Sequence, residues 1–218
     1  MDELLNAAVQ PIALRTLLVS GTATVLAVLA GVPAGYAIAR SRFHGRTLML
    51  SVINTGMGLP PVVVGLFVWL LLVRSGPLGG LELVYTKAGM IAAQFLIALP
   101  VVIGFTTASF QSLPARLPDL LAVSGAGRAQ TLWLLATEAR LGLLVAVMGG
   151  FGAAVSEQSA SMIVGGNLER STRVLTTAIV TETSRGEVER AMTLGLVLLA
   201  LAFLINLVLT VLQQRQRA

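Results

Sequence analysis

The feature that most constrains this chain is the length of its uncharged apolar runs. Residues 16–39, 48–73, 88–110, 141–163 and 191–212 are rich in Leu, Val, Ala and Gly, and only the fourth run contains an acid, Glu157. Each exceeds or approaches the roughly 20 residues needed to cross a bilayer core as a helix. A soluble fold of 218 residues could not hide them. Hydrophobic residues make up 56% of the chain and charged residues 11%, against about 45–50% and 25% in soluble domains. The expected architecture is therefore an all-α polytopic membrane protein with about five transmembrane helices in a single domain over 1–218. Asp2 and Glu3 precede the first run where a secretory signal would carry positive charge, so that run reads as a retained span.

Composition also excludes functions. There is no cysteine, so no thiolate metal site, disulfide framework or thiol nucleophile is available. The lone His44 lies in a loop without metal-binding partners, so no metal site is expected. Basic residues flank the apolar runs and form no stripe with interleaved aromatics, which argues against nucleic-acid binding. No G-x-x-x-x-G-K-[ST] phosphate loop occurs. Any ATP-driven work therefore needs a partner. With one His, no Cys and one clearly intramembrane acid, a membrane-embedded enzyme lacks a catalytic set.

Charge orients the chain weakly. Arg40, Arg42, Arg46, Arg116, Arg128, Arg140, Arg215 and Arg217 fall on one side; Arg15, Arg74, Lys87, Arg170, Arg173, Arg185 and Arg190 fall on the other. The short, dense loop 40–46 counts most under the positive-inside rule. It favours a cytoplasmic C-terminus and an external N-terminus in a cell inner membrane.

Breaks inside the spans are informative. Leu59-Pro60-Pro61 in mid-span should interrupt the second helix, as in helices that line transport pathways, although bundle packing alone can give the same kink. Residues 111–140 turn amphiphilic. There Asp119 follows Pro118 at a helix start and Gly125 stands where a C-terminal cap belongs. An ionisable group within a span marks a functional site by default. Glu157 reads either as a gate or pathway group, or as one half of a helix-locking ion pair with a following arginine. The segment 165–177 offers backbone amides, the Asn167 amide, hydroxyls at Ser171, Thr172, Thr176 and Thr177, and Arg173. These donors suit an oxyanion. They equally suit a re-entrant turn whose threonines satisfy backbone carbonyls.

In residues 119–125 the chain resembles the permease subunits of ABC importers. Asp119, Leu120, Leu121, Ala122 and Gly125 occupy the frame of the cytoplasmic coupling loop, followed by Leu135-Ala136-Thr137-Glu138. Leu120 and Leu121 stand where the family has a small pair. Gly150-Phe151-Gly152-Ala153-Ala154-Val155-Ser156-Glu157 and Met162-Ile163-Val164-Gly165-Gly166-Asn167-Leu168, continuing into Ser171-Thr172-Arg173-Val174 and Thr176-Thr177-Ala178-Ile179, are similar to tungstate permeases. Gln158-Ser159-Ala160 departs from that pattern, which usually has an apolar residue and then Gly-Ala. The resemblance implies a type I bundle of the molybdate and methionine permease kind. It also implies a homodimer with its pathway between protomers, cytoplasmic ATPase subunits that would carry the ATP and magnesium and dock on the loop at 111–140, an external loop at 164–190 and an extracytoplasmic oxyanion-binding protein, with no cofactor on this chain. Tungstate is the implied cargo, with molybdate or another anion as alternative. Within that picture Gly165, Gly166, Asn167, Thr172, Arg173, Thr176 and Thr177 are gate or pathway candidates beside Glu157. A stand-alone secondary transporter is the competing class, and it predicts internal repeats that the sequence does not display.

Overall fold

The computed structural model describes residues 2–114 and 116–215, leaving the side chains of residues 2–8, 118, 119, 122, 128, 212 and 215 outside the description. Among the described residues the regular structure is helical: α1 (Asp2–Arg40), α2 (Arg46–Met57), α3 (Pro61–Leu72), α4 (Lys87–Gln111), α5 (Leu117–Val123), α6 (Arg128–Glu138), α7 (Arg140–Val155), α8 (Ser159–Gly165), α9 (Leu175–Ser184) and α10 (Val188–Arg215), with a 3₁₀ turn at Gly79–Leu81. Three stretches of the described residues, Val9–Arg40, Lys87–Gln111 and Val188–Val211, are long and apolar enough to cross a membrane singly. The number rises to five if two bent pairs, α2 with α3 and α6 with α7, each count as one span.

The bend between α2 and α3 has a local cause. α2 and α3 are 12 residues each, about 18 Å at 1.5 Å per residue, so neither half crosses alone. Pro60 caps α3 and Pro61 is its first residue, a position where the missing N–H would have had no helical partner. The two halves meet at 102°. The stretch 141–163, expected as one continuous helix, is not continuous. α7 stops at Val155 after 16 residues, and the seven-residue α8 begins at Ser159. The stretch 164–190, expected as a loop, contains α9.

The bundle is built on α1, α4 and α7. α1 and α4 run parallel: Val19 packs with Met90, and Tyr36 meets Phe110 edge-on at 5.0 Å between ring centroids. A buried seam of Ala27, Ala98, Val102, Ala146 and Ala154 joins all three helices. Small side chains let helix backbones approach closely where lipid tails give no hydrophobic drive to associate. Hydroxyls on α1 are neutralised locally, Thr16 donating to the Ile12 carbonyl at 2.9 Å and Thr24 to the Ser20 carbonyl at 2.7 Å. α10 packs on α9 through Leu194, Leu175 and Ala178. Its other face leaves Leu196, Leu199, Phe203 and Leu207 exposed, as a lipid-facing or partner-facing helix would.

Candidate functional site

The break between α7 and α8 is organised by Glu157. The side chain is only 5% exposed, and its carboxyl Oε1 accepts the Ala160 backbone N–H at 2.6 Å. First-turn N–H groups have no intrahelical partner, and the positive end of the helix favours an acid there. The carboxyl group thus caps α8. No described arginine forms an ion pair with it; the following loop's Arg173 and Arg185 pair instead with Glu169 at 3.1 Å and Glu182 at 3.5 Å. The Glu157 carbonyl accepts from the Thr176 hydroxyl at 3.1 Å, which ties α9 to the same break.

α3 lies against α8 just beyond the Pro60–Pro61 bend. A Cβ built on Gly65 would stand 2.5 Å from the Ala160 Cα and 2.9 Å from its Cβ, so only glycine allows the two backbones this close. The close contact that Gln158-Ser159-Ala160 left open in the sequence is supplied from the opposite helix. Val68, Leu72, Ala93, Ala160 and Val164 form the buried cluster around it. Next to Ala93, Gln94 of α4, 1% exposed, donates through Nε2 to the Ser161 hydroxyl at 3.0 Å, and its Oε1 is buried with no partner.

The segment 165–177 folds into a self-bonded cap at the same end. α8 closes at Gly166, whose φ is +67°. Asn167 at φ 48° turns the chain, and its Nδ2 donates to the Thr181 hydroxyl at 2.6 Å. The Thr172 hydroxyl donates to the Gly165 carbonyl at 2.5 Å and accepts the Leu168 N–H at 2.9 Å. The Thr177 hydroxyl accepts the Val174 N–H and donates to the Val174 carbonyl, both at 3.0 Å. Thr172, Thr176 and Thr177 therefore spend their hydroxyls on backbone groups. What the cap leaves open is the Asn167 Oδ1 and the Arg173 Nε, both buried and without a partner.

Two tie-points to this cap were not singled out from sequence. Arg15 of α1 donates through Nη1 to the Arg173 carbonyl at 2.8 Å, across 158 positions of chain. The neighbouring Thr16 hydroxyl accepts the Leu175 N–H at 2.9 Å. From sequence Arg15 is a charge bordering the apolar run at 16–39; the structure places it inside α1, which begins well before that run. Glu157, Gly165, Gly166, Asn167, Thr172, Arg173, Thr176 and Thr177 are thus brought to one end of the bundle; Pro60 and Pro61 reach it through α3.

The second candidate surface lies elsewhere, on α5 and α6. Leu135 of α6 and Ala139, which joins α6 to α7, are buried with Phe110 of α4, and Tyr36, Leu117, Leu121 and Leu143 pack alongside. That cluster fixes both short helices to the ends of α1, α4 and α7. Gly125 has φ +78°, and the Ala126 N–H reaches back to the Leu121 carbonyl at 3.0 Å, the left-handed closure that glycine permits at a helix C-terminus. The outward face shows Leu120 at 62%, Val123 at 87% and Trp133 at 67% exposure. The side chains of Asp119 and Ala122 lie outside the described residues.

Comparison with known proteins matches residues 27–218 to the family model described as binding-protein-dependent transport system inner membrane component. A Haloferax volcanii protein named "probable anion ABC transporter permease protein" is 41% identical over 196 residues, covering 88% of this chain and 84% of that one. A tungstate uptake system permease protein of Peptoclostridium acidaminophilum is 39% identical, covering 90% of this chain and 86% of its own length. Among solved structures, an inward-facing MetNI methionine ABC transporter superposes with a TM-score of 0.78 at 17% identity, covering 99% of both chains, a likeness of fold.

Proposed function

The chain belongs to the binding-protein-dependent transport system inner membrane component family, and from that premise we propose that it is the permease subunit of an ATP-driven importer for tungstate or a closely similar oxyanion. The observation that carries the cargo is the 39–41% identity, over about nine tenths of the chain, to permeases named for tungstate and for anions. Membership takes the chain out of the stand-alone secondary transporter class. The subunit is a non-enzymatic part of the machine; ATP and magnesium act on a separate ATPase, and an extracytoplasmic binding protein delivers the anion.

Two protomers enclose the pathway between them. Each docks the ATPase through α5 and α6, a reading supported by the exposed Leu120, Val123 and Trp133 on helices otherwise pinned to the bundle. That end faces the cytoplasm, which puts the C-terminus inside and the N-terminus outside. ATP-driven closure of the ATPase pair moves α5 and α6, and α7 carries the motion to the Glu157 break at the other end. The cap at 165–177 acts as gate more than selectivity filter, because Thr172, Thr176 and Thr177 already hold backbone partners. Selection then rests chiefly with the binding protein.

The test is reconstitution of the permease with its ATPase and binding protein in proteoliposomes. Tungstate uptake should require all three proteins and ATP. Robust uptake by the permease alone would refute the reading, and saturable uptake of an unrelated cargo with none of tungstate would refute the cargo.

A further inference from the structure

A basic cleft sits at the end of the bundle shared by the C-termini of α1 and α4, apart from the Glu157 break and the 165–177 cap. The two helices run parallel, so their last turns come together. Between them and the start of α2 lies a space of about 430 Å³ lined by Arg40, Ser41, Arg42, Arg46, Phe110 and Gln111 among others. That volume lies within the roughly 300–1,000 Å³ of small-ligand sites. No described acid forms an ion pair with Arg40, Arg42 or Arg46; the arginine ion pairs to described acids belong to Arg173 and Arg185. Arg46 Nε donates to the Ile38 carbonyl at 3.2 Å, which holds its guanidinium over the α1 C-terminus and leaves its two terminal nitrogens free for another acceptor.

The charge balance is uneven. Each helix C-terminus carries about half a negative charge, so two of them offset roughly one of the three guanidiniums. About two positive charges remain at the end of two membrane helices, where a compact anion with several acceptor oxygens is favoured. Guanidinium forks match phosphate oxygens bidentately. Beside the cleft, the first turns of α2 expose Leu48 at 70%, Met49 at 41% and Val52 at 63%. An apolar face next to a cationic cleft matches an acyl chain hung from a phosphate. Basic pockets between membrane helices recur as headgroup sites.

We propose that this cleft binds the phosphate of an anionic phospholipid headgroup, with its acyl chain along α2. The site does not depend on the cargo assigned above. Native mass spectrometry of the delipidated full chain in detergent tests it, titrating phosphatidylglycerol against phosphatidylcholine of equal acyl length. Phosphatidylglycerol should bind at least tenfold tighter. R42Q should weaken it about fivefold and R40Q/R42Q about 30-fold, following about 1 kcal/mol for each basic side chain at an anionic surface. R42K, which keeps the charge but loses the planar fork, should bind between the parent and R42Q, and R170Q, at the other end of the bundle, should bind within twofold of the parent. Equal binding of the two lipids, or unchanged binding in R42Q, would overturn the proposal. So would displacement of phosphatidylglycerol by millimolar inorganic phosphate, which would assign the cleft to a free anion. R42Q and R42K decide the matter even where the double variant fails to fold.

Discussion

Replacing Glu157 separates a helix cap from a pathway charge. The carboxyl Oε1 holds the Ala160 N–H at 2.6 Å in a 5% exposed site. In E157Q the amide oxygen has the same length and can accept the same bond, so the loss is the charge-assisted part, about 1 kcal/mol from the gap between charged and neutral hydrogen bonds. In E157A the Ala160 N–H stays buried with no acceptor, which costs about 1–3 kcal/mol for the stranded donor alone. At about 2–4 °C per kcal/mol for a chain of this size, E157Q should lower Tm by a few degrees and E157A by roughly twice that or more. Thermal unfolding in detergent reads the first quantity, and ATP-dependent tungstate uptake by the reconstituted transporter reads the function. E157Q should retain most of its uptake. Abolished uptake in E157Q at an unchanged Tm would refute the capping argument, because only the charge has then been removed. Equal destabilisation by the two variants would refute it as well.

Three further outcomes follow from the same geometry. G65A forces α3 off α8 and should cost about 1–3 kcal/mol as an overpacked contact, read as a lowered Tm with reduced uptake; A160G should fail to rescue it, because the nearer clash is with the Ala160 Cα and not its Cβ. T177V strands the buried Val174 N–H and should destabilise by about 1–3 kcal/mol, whereas T176V loses only a donor to a carbonyl, about 0.5–1.5 kcal/mol; neither should change the tungstate-to-molybdate preference in a competition assay, and a changed preference would make the cap a filter. L120D and V123D alter exposed positions on α5, so Tm should hold within a degree or two while co-purification with the ATPase and ATP-driven uptake are lost.

Much of the architecture was legible in the chain itself, and the exceptions are specific. Arg40 and Gln111 close their helices near the ends of apolar runs, and Pro60-Pro61 marks the join of α2 and α3. The missed boundary is at Ser156–Gln158. An uninterrupted apolar reading from 141 to 163 treats Glu157 as a charge inside one helix, when it is a cap between two. Hydropathy registers the transfer cost of a side chain but not which backbone N–H it accepts. The frame at 119–125 gave a short helix closed by Gly125, because a left-handed residue after an amphiphilic turn is a local signal.

By itself, then, the sequence determined the apolar run lengths, the proline break and the positions of the charges, since each depends on neighbouring residues and on the cost of placing polar groups in lipid. It also carried the motif likeness that pointed to an importer permease. Tertiary structure alone decided which of those groups meet. Glu157 caps α8 instead of pairing with an arginine, Gly65 admits Ala160, and Thr172, Thr176 and Thr177 turn inward to backbone carbonyls. The reason is separation along the chain: Arg15 and Arg173 lie 158 positions apart, and only the parallel course of α1 beside α4, with α7 to α9 folded back on them, brings such partners within hydrogen-bonding distance.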